Sequence, residues 1–416
     1  MATIIPFRAL RPVPNLASQV AALPYDVMDE AEARAICAKE SYSFLHIDRS
    51  ETAFPPGTDP DSPAVYEKAA EILTQWTKEG ILQQDSHPCL YLYRLTRNGK
   101  SQTGLVCCTS VEEYDNGILR KHELTRAEKE AGRTRHVNAC NAQTGPIFMA
   151  YRQSSATAMM ADWAKTHDPE VSFTSDDGIG HAVWVIDDPN AIANFTDAIA
   201  AVPNLYIADG HHRCASAAAV CHQRLKQQPD APADAPFRWI LSVLFPADEL
   251  TIMDYNRLVK DTNGLTADEL FEKISESFYL LPWPKPGPCR PMMPHQFGMY
   301  FEQKWYLLTA QEDAIADDPV GRLDVSILQN RLLGPILGIQ DPRTDKRIDF
   351  VGGIRGLGEL EKRVILSEGK IAFSLYPTSM EELMNVADQG LIMPPKSTWF
   401  EPKLRSGLFI HVLSDH

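Results

Sequence analysis

Residues 205–213, Leu-Tyr-Ile-Ala-Asp-Gly-His-His-Arg, put a carboxylate, two imidazoles and a guanidinium at the end of an apolar run. That combination handles anions. The run reads as a strand, Gly210 permits a tight or positive-φ turn, and the residues after it open a helix whose unpaired N–H groups and dipole favour negative charge. His211, His212 and Arg213 add donors at the same point. The plain alternative is an Asp that caps an ordinary helix beside solvated histidines.

Three other segments carry chemistry. Residues 120–138 hold Arg120, Lys121, Arg126, Lys129, Arg133 and Arg135 against Glu123, Glu128 and Glu130, a local excess of positive charge. Inside it, His122-Glu123-Leu124-Thr125 places an acid beside an imidazole, as a general base near a hydroxyl substrate requires. A charged, solvent-facing helix with i,i+4 pairs explains the same residues without function. Near the C-terminus, Lys396-Ser397-Thr398 and Lys403-Leu404-Arg405 combine cations with hydroxyls, good phosphate ligands. Pro394, Pro395 and Pro402 stiffen that loop, and a basic surface loop before a final strand at 408–413 is the alternative. The third segment, Leu23-Pro24-Tyr25-Asp26-Val27, reads as a structural turn.

Two familiar phosphate signatures are missing. Gly369-Lys370 lacks the rest of a P-loop, and Gly352, Gly353, Gly356 and Gly358 do not fit GxGxxG. His211, His212, Cys214, Cys221 and His222 crowd together. Adjacent histidines point apart, however, and no spaced second pair follows, so no structural zinc is expected there.

Small residues from Cys214 to Ala219, with Cys221, let the helix after the turn lie close against a sheet. Strands are expected at 89–95, 104–110, 182–186, 238–245, 298–308 and 371–376, and helices at 64–80 and 379–388, with Gly80 and Gly390 as stops. Proline-rich stretches at 229–236 and 283–288 exclude regular structure. The pattern is a mixed α/β (α+β) chain, and no internal repeat of solenoid period is visible. A length of 416 residues implies two or three domains or one large elaborated one. The expected division is an N-terminal α/β segment (1–100), a core carrying the turn (101–250) and a C-terminal α/β segment contributing the lysine loop (251–416).

With 40 basic and 55 acidic residues the net charge is −15, which repels a polyanion over most of the surface and opposes nucleic-acid binding. The first residues, Met1-Ala2-Thr3-Ile4-Ile5-Pro6-Phe7-Arg8, show no signal-peptide core, and no apolar run approaches a membrane span. A cytoplasmic protein without a membrane partner is expected. The eight cysteines lack a repeated CxxC and read as reduced thiols.

Asp209-Gly210-His211-His212-Arg213 resembles the signature of SerK-like free-serine kinases in the ParB/sulfiredoxin superfamily. Pro6-Phe7-Arg8, Pro24-Tyr25-Asp26, His122-Glu123-Leu124-Thr125, Gly145-Pro146-Ile147-Phe148, Leu323-Asp324-Val325 and Met393-Pro394-Pro395-Lys396-Ser397-Thr398 resemble the long bacterial branch catalogued as domain of unknown function 1015. The resemblance spans nearly the whole chain. It implies a ParB/sulfiredoxin-like core elaborated at both ends, and transfer of a phosphoryl group from ATP, ADP or pyrophosphate, with Mg²⁺, to the hydroxyl of free L-serine.

In that scheme Glu123, Asp209 and His211 are catalytic, with Glu123 accepting the proton and Asp209 ligating Mg²⁺. Phosphate or substrate binding falls to His122, Thr125, Gly210, His212, Arg213, Lys396, Ser397, Thr398 and Lys403. The sulfiredoxin relation would require a Cys in the turn, where this chain has His211. ParB-type DNA binding would require a basic helix-turn-helix, for which no candidate is apparent. A nucleotide or metabolite sensor and a metal-dependent phosphohydrolase are the rival functions. The sequence does not fix the oligomeric state.

Overall fold

The computed structural model describes residues 1–414. The chain forms two compact units, Met1–Leu250 with Pro402–His416, and Thr251–Glu401. Residues 1–100 and 101–250 share one sheet, because strands on either side of residue 100 form a hairpin. The C-terminal tail groups with the first unit.

In the first unit the described residues build a nine-stranded mixed sheet. Its strands are β1 (Ile4–Ile5), β2 (Leu90–Arg97), β3 (Lys100–Ser110), β4 (Leu119–Arg120), β5 (Ile147–Tyr151), β6 (Val171–Thr174), β7 (Gly180–Ile186), β8 (Leu205–Asp209) and β9 (Trp239–Pro246). Their order is β4-β8-β5-β9-β3-β2-β7-β6, with β1 also on β3. The strand that leads into the turn, β8, is flanked by β4 in parallel and β5 antiparallel. Every residue of β5 is buried, as is β8 up to its last residue. A near-continuous apolar strand is what a sheet covered on both faces selects.

Three helices matter for the site: α1 (Pro63–Lys78), α2 (Ala127–Cys140) and α3 (His211–Gln227). The small side chains of α3 do what their size predicts. Cys214, Ala217, Ala218 and Cys221 sit in one core cluster with Leu205, Ile207, Ile147 and Met149. A second cluster, with Phe44, Leu73, Trp76 and Ile410, lies under α1. Gly80, just past α1, has a φ of +76°, the left-handed conformation that ends a helix.

The second unit carries a six-stranded antiparallel sheet of β10 (Tyr255–Val259), β11 (Phe278–Pro282), β12 (Gln296–Phe301), β13 (Lys304–Ala310), β14 (Ile348–Gly352) and β15 (Ile371–Leu375), in the order β11-β13-β12-β15-β10-β14. Here the sequence misleads once. Residues 298–308 read as one strand but fold into the β12–β13 hairpin, because Glu302 and Gln303 both take positive φ (47° and 60°) without the Asn-Gly that advertises such a turn. The helix expected at 379–388 is α4 (Met380–Asp388), and Ser379 and Glu382 complete its capping box. The final strand expected at 408–413 shrinks to His411–Val412, paired with Ala142–Gln143.

Candidate active site

The turn between β8 and α3 has the backbone its sequence asks for. Gly210 has a φ of +95°, and a Cβ there would meet the Arg213 guanidinium at 3.0–3.2 Å. Only glycine satisfies both constraints. Helix α3 starts at His211, so its first N–H groups lie beside the carboxylate that ends β8.

The four polar side chains of the turn share one electrostatic neighbourhood but take different partners. Asp209 accepts from Lys403 Nζ at 3.0 Å through one oxygen and from the Gly210 N–H at 3.0 Å through the other. Burial alone would raise its pKa, but Lys403 and Arg213 outweigh burial and hold it at about 2. His212 accepts the Arg126 N–H on Nε2 at 3.0 Å, which ties the 121–126 loop to α3 and fixes that nitrogen as unprotonated. Arg213 turns inward and donates to the Pro146 carbonyl at 2.8 Å. Gly145 makes room for it: a Cβ at that position would lie 3.2 Å from the guanidinium.

His211 points toward the His122-Glu123 pair. The two imidazoles meet edge to face with centroids 4.5 Å apart, and His211 Nδ1 lies 3.9 Å from Glu123 Oε2. One ligand-type atom from each of His122, Glu123 and His211 lies within 4.8 Å of the others. Burial pushes His122 down to about 4 and His211 well below the ordinary histidine value, so both rings are neutral at pH 7. Both are almost fully buried, whereas the Glu123 side chain is 47% exposed. The pair thus presents an accessible carboxylate backed by two neutral imidazoles.

A buried network holds the chain just before Gly145-Pro146, on which Arg213 leans. Arg133 on α2 donates to Asp48 at 3.4 Å and to Thr144 at 3.2 Å, and Thr144 donates to Asp48 at 2.7 Å. Arg133 also lies over the Tyr25 ring at 4.4 Å. The alternative reading of this segment as a solvent-facing charged helix does not hold at Arg133, which is a core cation paired across elements. Beside it opens a cleft of about 470 Å³ whose walls mix Asp26 and Glu51 with Arg126 and Lys129. In sequence Tyr25-Asp26 has the pattern of a structural turn, and Asp48 and Thr144, as isolated polar residues, carry no local pattern at all.

The other expected ligands have partners of their own. The Thr125 hydroxyl donates to Glu130 at 2.9 Å. Lys396, Ser397 and Thr398 belong to the second unit. There Lys396 has a φ of +59° and its ammonium lies 5.6 Å from the Tyr255 ring centre, while the Ser397 hydroxyl donates to Pro394 at 2.6 Å. Lys403, from the same stretch of sequence, belongs to the first unit and pairs with Asp209. Cys214 is buried in helix packing, which raises its thiol pKa, and all eight cysteines are free thiols. Among the described residues no helix is long and apolar enough to cross a membrane.

The family model DUF1015, "Protein of unknown function", matches residues 4–326. No curated protein matches the chain. Among solved structures, a free serine kinase in complex with AMP aligns at 12% identity and a TM-score of 0.36, over 73% of this chain and 92% of that one. A conserved hypothetical protein from Pyrococcus furiosus aligns at 12% identity and 0.36, over 73% and 94%. C-terminally truncated SbnI from Staphylococcus aureus aligns at 11% identity and 0.38, over 72% and 85%.

Proposed function

We propose that this chain, which belongs to the DUF1015 family, is a phosphotransferase that moves a phosphoryl group from ATP, ADP or pyrophosphate to the hydroxyl of free L-serine. The observation that carries the reading is the half-exposed Glu123 carboxylate set against buried His211, on the same turn where Lys403 is held by Asp209. Phosphoryl transfer needs few covalent steps from the protein: it needs a proton acceptor, cations on the transferred oxygens and correct placement. Glu123 accepts the serine proton. Lys403, oriented by Asp209, neutralises the transferred group together with the N-terminal N–H groups of α3. Arg213, His212 and the Arg133–Asp48 pair hold the turn in place. The cleft beside Arg126 offers carboxylates and cations to a zwitterionic acceptor.

Mg²⁺ does not fit as an ion ligated by this turn. It prefers hard oxygen ligands in octahedral array, and one Asp209 oxygen already holds the Lys403 ammonium, a like charge, while the other accepts the Gly210 N–H. Asp209 is thus assigned to positioning the lysine. For Lys396, Ser397 and Thr398 a donor-phosphate role rests on the sequence pattern, and an unchanged donor KM in Lys396→Ala would return them to loop structure.

The test is incubation of the protein with L-serine, Mg²⁺ and, separately, ATP, ADP or pyrophosphate, with O-phosphoserine read by mass spectrometry. Serine-dependent product with one donor is expected. Donor binding with no turnover would make the protein a sensor, and donor hydrolysis at the same rate without serine would make it a phosphohydrolase.

A further inference from the structure

We infer that His122, Glu123 and His211 form a binding site for a borderline divalent metal ion, Zn²⁺ or a first-row neighbour such as Co²⁺ or Mn²⁺. Two imidazole nitrogens and one carboxylate oxygen lie within 4.8 Å of one another. Neutral imidazole with carboxylate is the donor set of these metals, whereas Mg²⁺ and Ca²⁺ select oxygen alone.

A second observation points the same way. His122 is 2% exposed and His211 5%, yet Nε2 of His211 has no hydrogen-bond partner among the described residues, and the His122 ring has none beyond a loose contact with the Ile207 backbone. Polar ring atoms stripped of water and given no partner are costly. An ion would satisfy a lone pair on each ring. Ligands about 2.1 Å from a tetrahedral ion stand roughly 3.4 Å apart, so donors up to 4.8 Å apart must draw in by as much as about 1.4 Å. Glu123, on an accessible loop, is the residue able to make that move.

The donors come from two elements. His122 and Glu123 lie on the loop after β4, and His211 on the first turn of α3, where the Arg126–His212 hydrogen bond already clamps loop to helix. Three protein ligands leave a fourth position open, the arrangement of catalytic rather than structural sites. A monodentate Glu123 keeps its second oxygen for a proton, so the site is compatible with the proposed function without depending on it.

The experiment strips the full-length protein with a chelator and titrates it with Co²⁺ and with Zn²⁺, reading visible d–d absorption and metal content after dialysis. About one ion per chain is expected, with tetrahedral-type Co²⁺ bands. Glu123→Ala should weaken binding more than ~10-fold and His211→Ala should abolish it, while His222→Ala on the exposed side of α3 should bind like wild type. Should His211→Ala fail to fold, Glu123→Ala decides alone. Absence of stoichiometric binding in the wild type, or wild-type affinity in Glu123→Ala, overturns the site. Bound metal with no O-phosphoserine from any donor would keep the site and remove the kinase reading. O-phosphoserine formed with no metal bound at the three residues would do the reverse.

Discussion

At the scale of single residues, the turn separates by partner. Asp209 and Lys403 form one ion pair, and Lys403 is only 11% exposed in its side chain. Removing either partner strips the other of its position. Lys403→Ala should leave the fold intact and raise donor KM or lower kcat by at least ~10²-fold, and Asp209→Asn should act in the same direction. Steady-state kinetics on both variants, with near-ultraviolet circular dichroism as a folding control, checks this. Glu123→Gln should lower kcat by at least ~10²-fold if the carboxylate takes the proton, and a variant with unchanged turnover would remove Glu123 from the chemistry. Much of this was legible in the sequence. Asp209, His122, Glu123 and His211 stand out in sequence because carboxylates and imidazoles at a strand end or in a dipeptide are local patterns. Their division into a Lys403 pair and a His-Glu-His cluster was not legible, because it depends on which way each side chain turns after Gly210.

At the scale of elements, the site depends on a connection between the short helix Leu45–Asp48 and α2. Asp48 is 1% exposed in its side chain and is held by Arg133 and Thr144, the residue before Gly145-Pro146 on which Arg213 leans. Burial alone would raise the carboxyl pKa, and Arg133 reverses it, so Asp48 stays charged. Removing one partner of such a buried pair leaves an uncompensated charge. Asp48→Ala should destabilise the first unit by about 3–5 kcal/mol, measured as a fall in denaturation midpoint, and a loss below ~1 kcal/mol would show the pair to be dispensable. Elements with a strong local signal were legible: α1 with its Gly80 stop, α4 with its capping box, and α3 with its small-residue face. The β12–β13 hairpin was not, because Glu302-Gln303 carries no turn residue and the flanking apolar runs join into one. Nor was the inward face of α2, where charged residues at helical spacing read as solvated until Arg133 met Asp48.

At the scale of the molecule, several histidines are buried and neutral. Burial, with no compensating carboxylate strong enough to reverse it, holds His136 and His411 near 4 and His181 near 3. In the unfolded chain each would titrate near ~6.5. Between that value and the folded one the unfolded chain binds more protons, so acid favours unfolding. Stability should therefore be full above about pH 6.5 and fall as pH drops toward 4, by up to about 1.4 kcal/mol per pH unit for each histidine. Denaturant midpoints at pH 7.5, 6 and 5 check this, and a midpoint that is flat or rises on acidification would contradict it. The sequence disclosed the mixed α/β class and the net acidic charge. It did not disclose that Pro402–His416 groups with Met1–Leu250, because a tail that joins a distant unit leaves no periodic mark. That grouping brings Lys403 to Asp209.

The central claim is that a phosphoryl group passes from donor to the serine hydroxyl at this turn. Its most direct measurement is donor consumption and O-phosphoserine formation in one reaction, with and without L-serine, for the wild type and Lys403→Ala. The account predicts one O-phosphoserine for each donor consumed, consumption that stops when serine is withheld, and little of either in Lys403→Ala. Donor consumed equally without serine, or wild-type rates in Lys403→Ala, would contradict it.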